Sequence, residues 1–314
     1  MDFALRAATR ADYPRIVTMI NAEVSEPTTV EDQVRQDELW PEGDPRLRLV
    51  AVAADGTVVG ACHSAGGTLM KPGVFQAGVR VDAAYRSAEV GRALYQALET
   101  WAVEHGAKRL EAWVREKDPS NLAWALRRGF VKEYHVFEST LDLQTFDSAP
   151  YAHAVQAARD NGFRFATLAD FPPGDETLRM YFELGWELGQ DVPGSEGRPK
   201  PPWDLVKKYY STDPHFEPGL IVLALDGDRW AALAELKRTE KGAVYHGFTG
   251  VQRGYRGRGL ALAIKVVALR MAKEAGFPYA RTNNHSGNHR MLAVNKRLGY
   301  VPEPGMFTLY KDLA

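Results

Sequence analysis

Short apolar runs bounded by turn residues alternate along this chain with longer segments of helical period. Residues 49–53 and 58–63 flank Ala54-Asp55-Gly56-Thr57, and residues 220–225 and 230–237 flank Asp226-Gly227-Asp228-Arg229. Strand-length runs joined through an Asp-Gly turn predict two β-hairpins. Further strands are predicted over 74–81 and 244–251, each leading into a basic turn and a long helix. In the later helix Leu262, Ile264, Val267 and Leu269 predict an amphipathic element. Thr9 with Asp12, and Thr167 with Asp170, carry the three-residue spacing of a capping box where a strand gives way to a helix.

These elements recur in the same order. Arg6-Ala7-Ala8-Thr9-Arg10-Ala11-Asp12 returns as Arg164-Phe165-Ala166-Thr167-Leu168-Ala169-Asp170, an offset of 158 residues. Tyr85-Arg86 then returns as Tyr255-Arg256, Gly106 as Gly276, and Gly129-Phe130 as Gly299-Tyr300, each at an offset of 170. The difference calls for an insertion in the second copy, and the Gly- and Pro-rich stretch 189–202 suits it. A duplication is therefore expected, with one domain over 1–146 and another over 161–314.

Length agrees, since 314 residues exceed one ordinary core and suggest about two domains of roughly 150 residues. A formal net charge of −1 supplies no global basic field for nucleic acid or an anionic membrane. No run approaches the roughly 18 apolar residues of a membrane helix, and the first residues lack a leader pattern, so a cytoplasmic protein is expected. The single cysteine, Cys62, forms no internal disulfide and no multi-cysteine metal site, and is expected in a strand core. His285 and His289 lack partners at metal spacing and are expected in solvent, so no metal is predicted.

The candidate chemistry starts at Gln252-Arg253-Gly254-Tyr255-Arg256-Gly257-Arg258-Gly259-Leu260-Ala261. Here a strand ends and a helix begins, where unpaired N–H groups and the positive end of the helix dipole favour an anion. Arg256-x-x-Gly259-x-Ala261 resembles the pyrophosphate-binding signature of the GCN5-related N-acetyltransferase (GNAT) family. Downstream, Asn288 through Gly299-Tyr300 resembles the family's segment closing the acyl-CoA cleft. The resemblance implies an α/β (α+β) fold of two tandem GNAT domains, each a mixed, largely antiparallel twisted sheet flanked by helices with a splayed central strand. It also implies an N-acetyltransferase using acetyl-CoA, or another acyl-CoA, as co-substrate. The cofactor would be held by Thr249, Val251, Arg256, Gly257, Arg258, Gly259, Leu260, Ala261 and Asn288.

A second such site is expected at Val81, Arg86, Val90, Gly91 and Arg92, in degraded form. Glu89 stands where the signature has glycine, and Asp118 and Ala125 stand where the second copy has Asn288 and Asn295. A tandem layout with one competent half is similar to that of mycothiol synthase. Two fused copies can replace a dimer, which favours a monomer and leaves a dimer open.

Acyl transfer in this family is direct attack of an amine on the thioester, for which the enzyme positions the reactants and handles protons. The family's glutamate base aligns with Tyr245 and its tyrosine acid with Asn295, so both usual groups are missing. His246, on the opposite face of the strand from Tyr245, and Glu235, on the preceding strand, are the candidate proton acceptors, while Asn295 can donate a hydrogen bond and Tyr245 or water is the candidate to protonate the thiolate. Trp186, Trp203, Tyr209 and Tyr210, interspersed with Glu187, Asp191 and Asp204, are candidates to receive a cationic small-molecule amine. A non-catalytic acyl-CoA-binding protein is the alternative reading.

Overall fold

The computed structural model describes residues 2–313 except Ser25, Ser87 and Ala88, so part of the turn after Arg86 lies outside the described residues. The first half runs β1 (Phe3–Ala7), α1 (Tyr13–Asn21), α2 (Val30–Glu38), β2 (Arg46–Ala53), β3 (Val58–Ala65), β4 (Val74–Val81), α3 (Val90–Glu104), β5 (Arg109–Arg115), α4 (Pro119–Leu126) and β6 (Val131–Asp142). After α5 (Ala152–Asp160) the order repeats as β7 (Phe163–Thr167), α6 (Asp175–Gly189), α7 (Trp203–Thr212), β8 (Ile221–Asp226), β9 (Arg229–Arg238), β10 (Val244–Val251), α8 (Leu260–Glu274), β11 (Tyr279–His285), α9 (His289–Arg297), β12 (Val301–Pro302) and β13 (Met306–Asp312). Both predicted hairpins form. The second is tighter than expected, because β8 and β9 leave only Gly227 and Asp228 between them.

The chain divides into two compact units that do not follow the sequence halves to their ends. The N-terminal unit comprises residues 1–134, 197–201 and 306–314, and the C-terminal unit residues 135–196 and 202–305. In the N-terminal unit β1 to β4 form an antiparallel series, β5 joins β4 in parallel, and β13 pairs with β5 from Met306↔Arg115 to Asp312↔Arg109. In the C-terminal unit β7, β8, β9 and β10 are antiparallel, β11 joins β10 in parallel, and β6 pairs with β11 from Val136↔His285 to Asp142↔Tyr279. Each unit thus completes its sheet with a strand from the other half of the sequence. Periodicity within one half cannot announce such an exchange, because a strand looks the same wherever it pairs.

The stretch left between the expected domains also gains a role. Residues 152–160 form α5, whose Val155 and Ala158 are buried in the core of the C-terminal unit with Leu260, Ile264 and Leu269 of α8. The expectation of an amphipathic α8 is corrected here, because ten of its fifteen residues are buried, Ile264, Lys265 and Val266 consecutively. A helix apolar on most sides needs cover on the side away from its sheet, and α5 supplies it. In the N-terminal unit α3 is one-sided, burying Val90, Leu94, Tyr95, Leu98 and Ala102 while Val103 is exposed. Cys62 lies buried in β3 as expected, its thiol pushed up to about 12 by burial.

The exchanged strand β13 buries Leu309 completely and ties Lys311 to Glu99 at 2.5 Å and Asp312 to Arg109 at 2.6 Å. Leu309→Ala is expected to cost about 2–5 kcal/mol of stability, as other buried leucine truncations do. Removal of residues 306–314 should leave the N-terminal unit selectively open to protease. Equal protection of both units in the truncated chain, read by mass spectrometry of the fragments, would contradict this pairing.

Candidate active site

β10 and β11 share only two parallel register positions, Val244↔Ala280 and Tyr245↔Arg281, and then part. At the parting point Thr282 donates its hydroxyl hydrogen to the His246 carbonyl at 2.9 Å, holding the strands together at their last common level. Beyond it, the partner of β10 is β9, and the β9 register slips between His246 and Phe248. Gly247 is therefore a bulge residue. Bulges bend a strand and re-aim its side chains, and glycine allows other groups to come close. A Cβ on Gly247 would lie 3.3 Å from the Tyr245 ring and 3.6 Å from a Glu235 carboxylate oxygen.

Two of the four predicted catalytic side chains, Glu235 and Tyr245, thus meet at the bulge. Tyr181 of α6 donates to Glu235 Oε2 at 2.6 Å, and Lys237 Nζ stands 3.8 Å from Glu235 Oε1 and 3.3 Å from Asp213. Burial and the Glu235 charge hold the Tyr181 phenol well above its ordinary range. Tyr245 is raised too, by burial and then by Glu138 and Glu235. Both tyrosines therefore stay protonated at neutral pH. Lys237 stays charged, because Tyr209, Glu235 and Asp213 outweigh the effect of its burial.

The other two candidates point elsewhere. His246 faces α8, as alternation along the strand requires, and is 1% exposed. Its Nε2 lies 2.8 Å from Thr249 Oγ1, while Lys265 Nζ and Tyr300 Oη stand 3.4 and 3.5 Å from its Nδ1. Burial and then Lys265 push its pKa well below the usual histidine value. It is a neutral core group on the face of β10 opposite Glu235 and Tyr245. Asn295 is buried in α9, donating to Asn284 Oδ1 at 2.6 Å, with its own Oδ1 without a partner. Asn295, expected as a hydrogen-bond donor, spends that hydrogen bond on packing α9 against β11.

The turn before α8 has the geometry that an anion site needs. Gly257 and Gly259 adopt φ of 78° and 75°, and Gly259 caps α8 with no side chain over the helix start. Arg256 Nε donates to the Val251 carbonyl at 2.9 Å, fastening the turn to the end of β10. Asp191, just beyond α6, pairs with Arg253 at 2.7 Å and with Arg256, which together hold its carboxyl down to about 2. Gln252 donates to Glu187 at 3.0 Å. Glu187 and Asp191, considered from sequence as receivers of an amine, instead brace the turn. Trp203 also has a packing role, with Arg179 over its ring and Phe182 beside it. Tyr209 and Tyr210 do lie near the bulge group, Tyr209 Oη accepting from Lys237 at 3.1 Å and Tyr210 packing on Tyr181.

Asn288 caps α9, its Oδ1 accepting from Met291 N at 3.3 Å, and Asp118 caps α4 in the same way from Asn121 N at 3.3 Å. His289 is exposed, whereas His285 is half-buried and accepts from Gly287 N at 3.0 Å. The N-terminal turn keeps the plan of its counterpart. Arg86 Nε donates to the Val81 carbonyl at 3.4 Å, and Glu89 takes Gly259's place with a φ of 65°. A left-handed conformation costs a non-glycine residue about 1–2 kcal/mol, so the fold imposes this turn on Glu89. Its carboxylate pairs with Arg92 at 2.6 Å. Among the described residues no three His, Cys, Asp or Glu side chains group to hold a metal, and no helix is long and apolar enough to cross a membrane.

Residues 13–130 match the sequence model of the acetyltransferase (GNAT) family. The match lies on the half whose turn carries Glu89. No curated protein sequence matches the chain significantly. A GCN5-related N-acetyltransferase from Sphaerobacter thermophilus aligns over 99% of this chain and 95% of its own, with a TM-score of 0.71 and 20% identity. A tandem GNAT protein from the clavulanic acid biosynthesis pathway aligns over 99% of this chain and 98% of its own, also at 0.71 and 20%. A GCN5-related glucosamine N-acetyltransferase region of a fungal multi-domain GH3 β-N-acetylglucosaminidase gives 0.70 at 15% identity, covering 98% of this chain and 38% of that one. Residues 13–130 thus carry the sequence pattern of the acetyltransferase (GNAT) family, and the chain as a whole shares the fold of the GNAT structures it aligns with.

Lys265 is the largest fully buried side chain of the C-terminal unit and has no carboxylate beside it. Burial brings its pKa down to about 7 from 10.5. Because the folded value lies below the unfolded one, the unfolded chain binds the extra proton between about pH 7 and 10.5, and stability should rise with pH through that window. Lys265→Met is expected to abolish this slope and to stabilise the protein at pH 7 by about 1–3 kcal/mol. Urea unfolding at pH 7 and pH 9.5 measures both, and an identical slope in the variant would show that Lys265 is not its source.

Proposed function

We propose that the C-terminal unit binds acyl-CoA and transfers its acyl group, acetyl in the simplest case, to a primary amine of a small molecule. The observation that carries this reading is the convergence of Glu235, Tyr245 and Tyr181 at the Gly247 bulge, where β10 leaves β11. In this reading the amides from Gly257 to Ala261 hold the pyrophosphate, with Arg258 adding charge and Arg256 fastening the turn to β10. The β10 edge at Thr249 and Val251 receives the thioester arm, and the amide nitrogen of Asn288 is available to it. A neutral amine attacks the thioester carbonyl; the C–N bond forms, the C–S bond breaks, and CoA leaves as the thiolate.

Glu235 is the group we assign to accept the amine's proton, directly or through one water, because its carboxylate lies at the bulge and Tyr181 orients it. Tyr245 stays protonated beside it and is placed to donate a hydrogen bond. Glu235 and Glu138 both act on Tyr245, Glu138 being paired with Arg281 and Glu235 lying beside Lys237. The N-terminal unit, retaining the turn at Val81, Arg86, Val90, Gly91 and Arg92, is assigned a weaker or absent acyl-CoA affinity, since Glu89 adds negative charge at the helix start. We further propose a cytoplasmic, monomeric enzyme. Binding without turnover is the second reading, favoured by the amide of Asn295 where the family's acid is expected.

Thiol release from acetyl-CoA over a panel of small primary amines tests the proposal. Gly259→Glu is expected to raise KM for acetyl-CoA at least tenfold. Gly259→Asn, which tolerates the same backbone without added charge, should not. Glu235→Gln is expected to lower kcat by about 10²–10⁴ with acetyl-CoA affinity kept. Full activity in Glu235→Gln removes it as base, tight CoA binding with no turnover selects the second reading, and absence of CoA binding ends the proposal.

A further inference from the structure

The two units build the same strand positions into opposite chemistry. Counted back from Val251, β9 and β10 pair Ala232↔Val251, Leu233↔Gly250, Ala234↔Thr249 and Glu235↔Phe248. Counted back from Val81, β3 and β4 pair Gly60↔Val81, Ala61↔Arg80, Cys62↔Val79 and His63↔Gly78. His63 is therefore the N-terminal counterpart of Glu235, Gly78 of Phe248, and Arg80 of Gly250. On the next strand Arg48 pairs with His63 where Ile221 pairs with Glu235. The site that carries a carboxylate in one unit carries an imidazole and guanidinium groups in the other.

The surroundings complete the inversion. Arg46 and Arg48 both pair with Asp37 of α2, the latter at 2.9 Å, and Arg48 also donates to Tyr13 Oη at 2.9 Å and Gln33 at 3.4 Å. Arg80 Nε lies 3.2 Å from Glu23 but makes no hydrogen bond, and it is buried. A buried donor without an acceptor is uncommon and unfavourable. The His63 ring occupies the space beside Gly78, where a Cβ would come within 2.1 Å of its Cε1. Burial, and then Arg80, Arg48 and Arg46, hold the imidazole down to about 3, so it is neutral at physiological pH. Three guanidinium groups against the two carboxylates that pair with them leave one positive charge in a half-buried site.

We infer that this face of the N-terminal unit is a binding site for a small-molecule carboxylate, held by Arg48 and Arg80 with His63 beneath it. Guanidinium groups match the planar, bidentate geometry of a carboxylate. An excess of one positive charge suits a monoanionic group better than a phosphate dianion. The site lies wholly in the N-terminal unit and is independent of acyl transfer in the other.

Calorimetric titration of the full chain with acetate, glutarate, glutaramide and inorganic phosphate tests this inference. Saturable binding of acetate or glutarate, absent with glutaramide, is expected, weakened at least tenfold in Arg80→Gln and Arg48→Gln and unchanged in Gly259→Glu. In the wild-type chain the His63 imidazole NMR signals, assigned through His63→Asn, should shift along the same isotherm, so the outcome does not depend on the arginine variants folding. No binding of either carboxylate, binding that leaves His63 unmoved, or phosphate bound more tightly than both carboxylates would each overturn it.

Discussion

The parting of β10 and β11 governs the C-terminal unit. Two parallel strands gain a hydrogen bond at every register position they share, so separating them after Tyr245 leaves backbone groups that must find another partner. The hydroxyl of Thr282 on the His246 carbonyl closes the paired region. The bulge at Gly247 then turns the remaining strand and leaves its edge toward β11 free of that partner. In the N-terminal unit β4 and β5 also part, after Gln76↔Glu111, but the β3 register runs without a slip from Gly60 to Ala65. The two clefts share an opening and differ in the bend of one wall.

That bend separates two kinds of polar group. On one face of β10 are Tyr245, Glu235 and Tyr181, with Lys237 bridging Glu235 to Asp213. On the other face are His246, Lys265 and Tyr300, buried and without a carboxylate. Burial keeps Tyr181 and Tyr245 protonated on the first face and His246 unprotonated on the second. Neighbouring residues on a single strand, Tyr245 and His246, are thus both held neutral, one as a phenol and the other as an unprotonated imidazole.

The turn at the start of α8 is held from outside as well as from within. Its glycines supply the left-handed conformations, Arg256 anchors it to β10, and Asp191 and Glu187 brace it from the end of α6. The same backbone persists at Glu89 despite the cost of a side chain there. A left-handed residue at the helix start is thus common to both halves, whereas the character of the site comes from which side chain stands there.

The sequence by itself determined the duplication, the hairpins, the strand-turn-helix at Arg256–Ala261 and the opposite facing of Tyr245 and His246. Each follows from local spacing: the period of a strand, the φ that glycine allows, the position of a cap. Only the tertiary structure decided that β6 and β13 complete sheets in the units opposite their own halves, and that α5 covers an α8 apolar on most sides. It likewise decided that Glu235 rather than His246 meets Tyr245 at the bulge, and that Asp191 braces arginines rather than awaiting an amine. These depend on pairing register and on groups brought together over dozens of residues, such as Tyr181 to Glu235 and Asp191 to Arg256. Sequence spacing carries no record of which distant partner a strand or a charge will find.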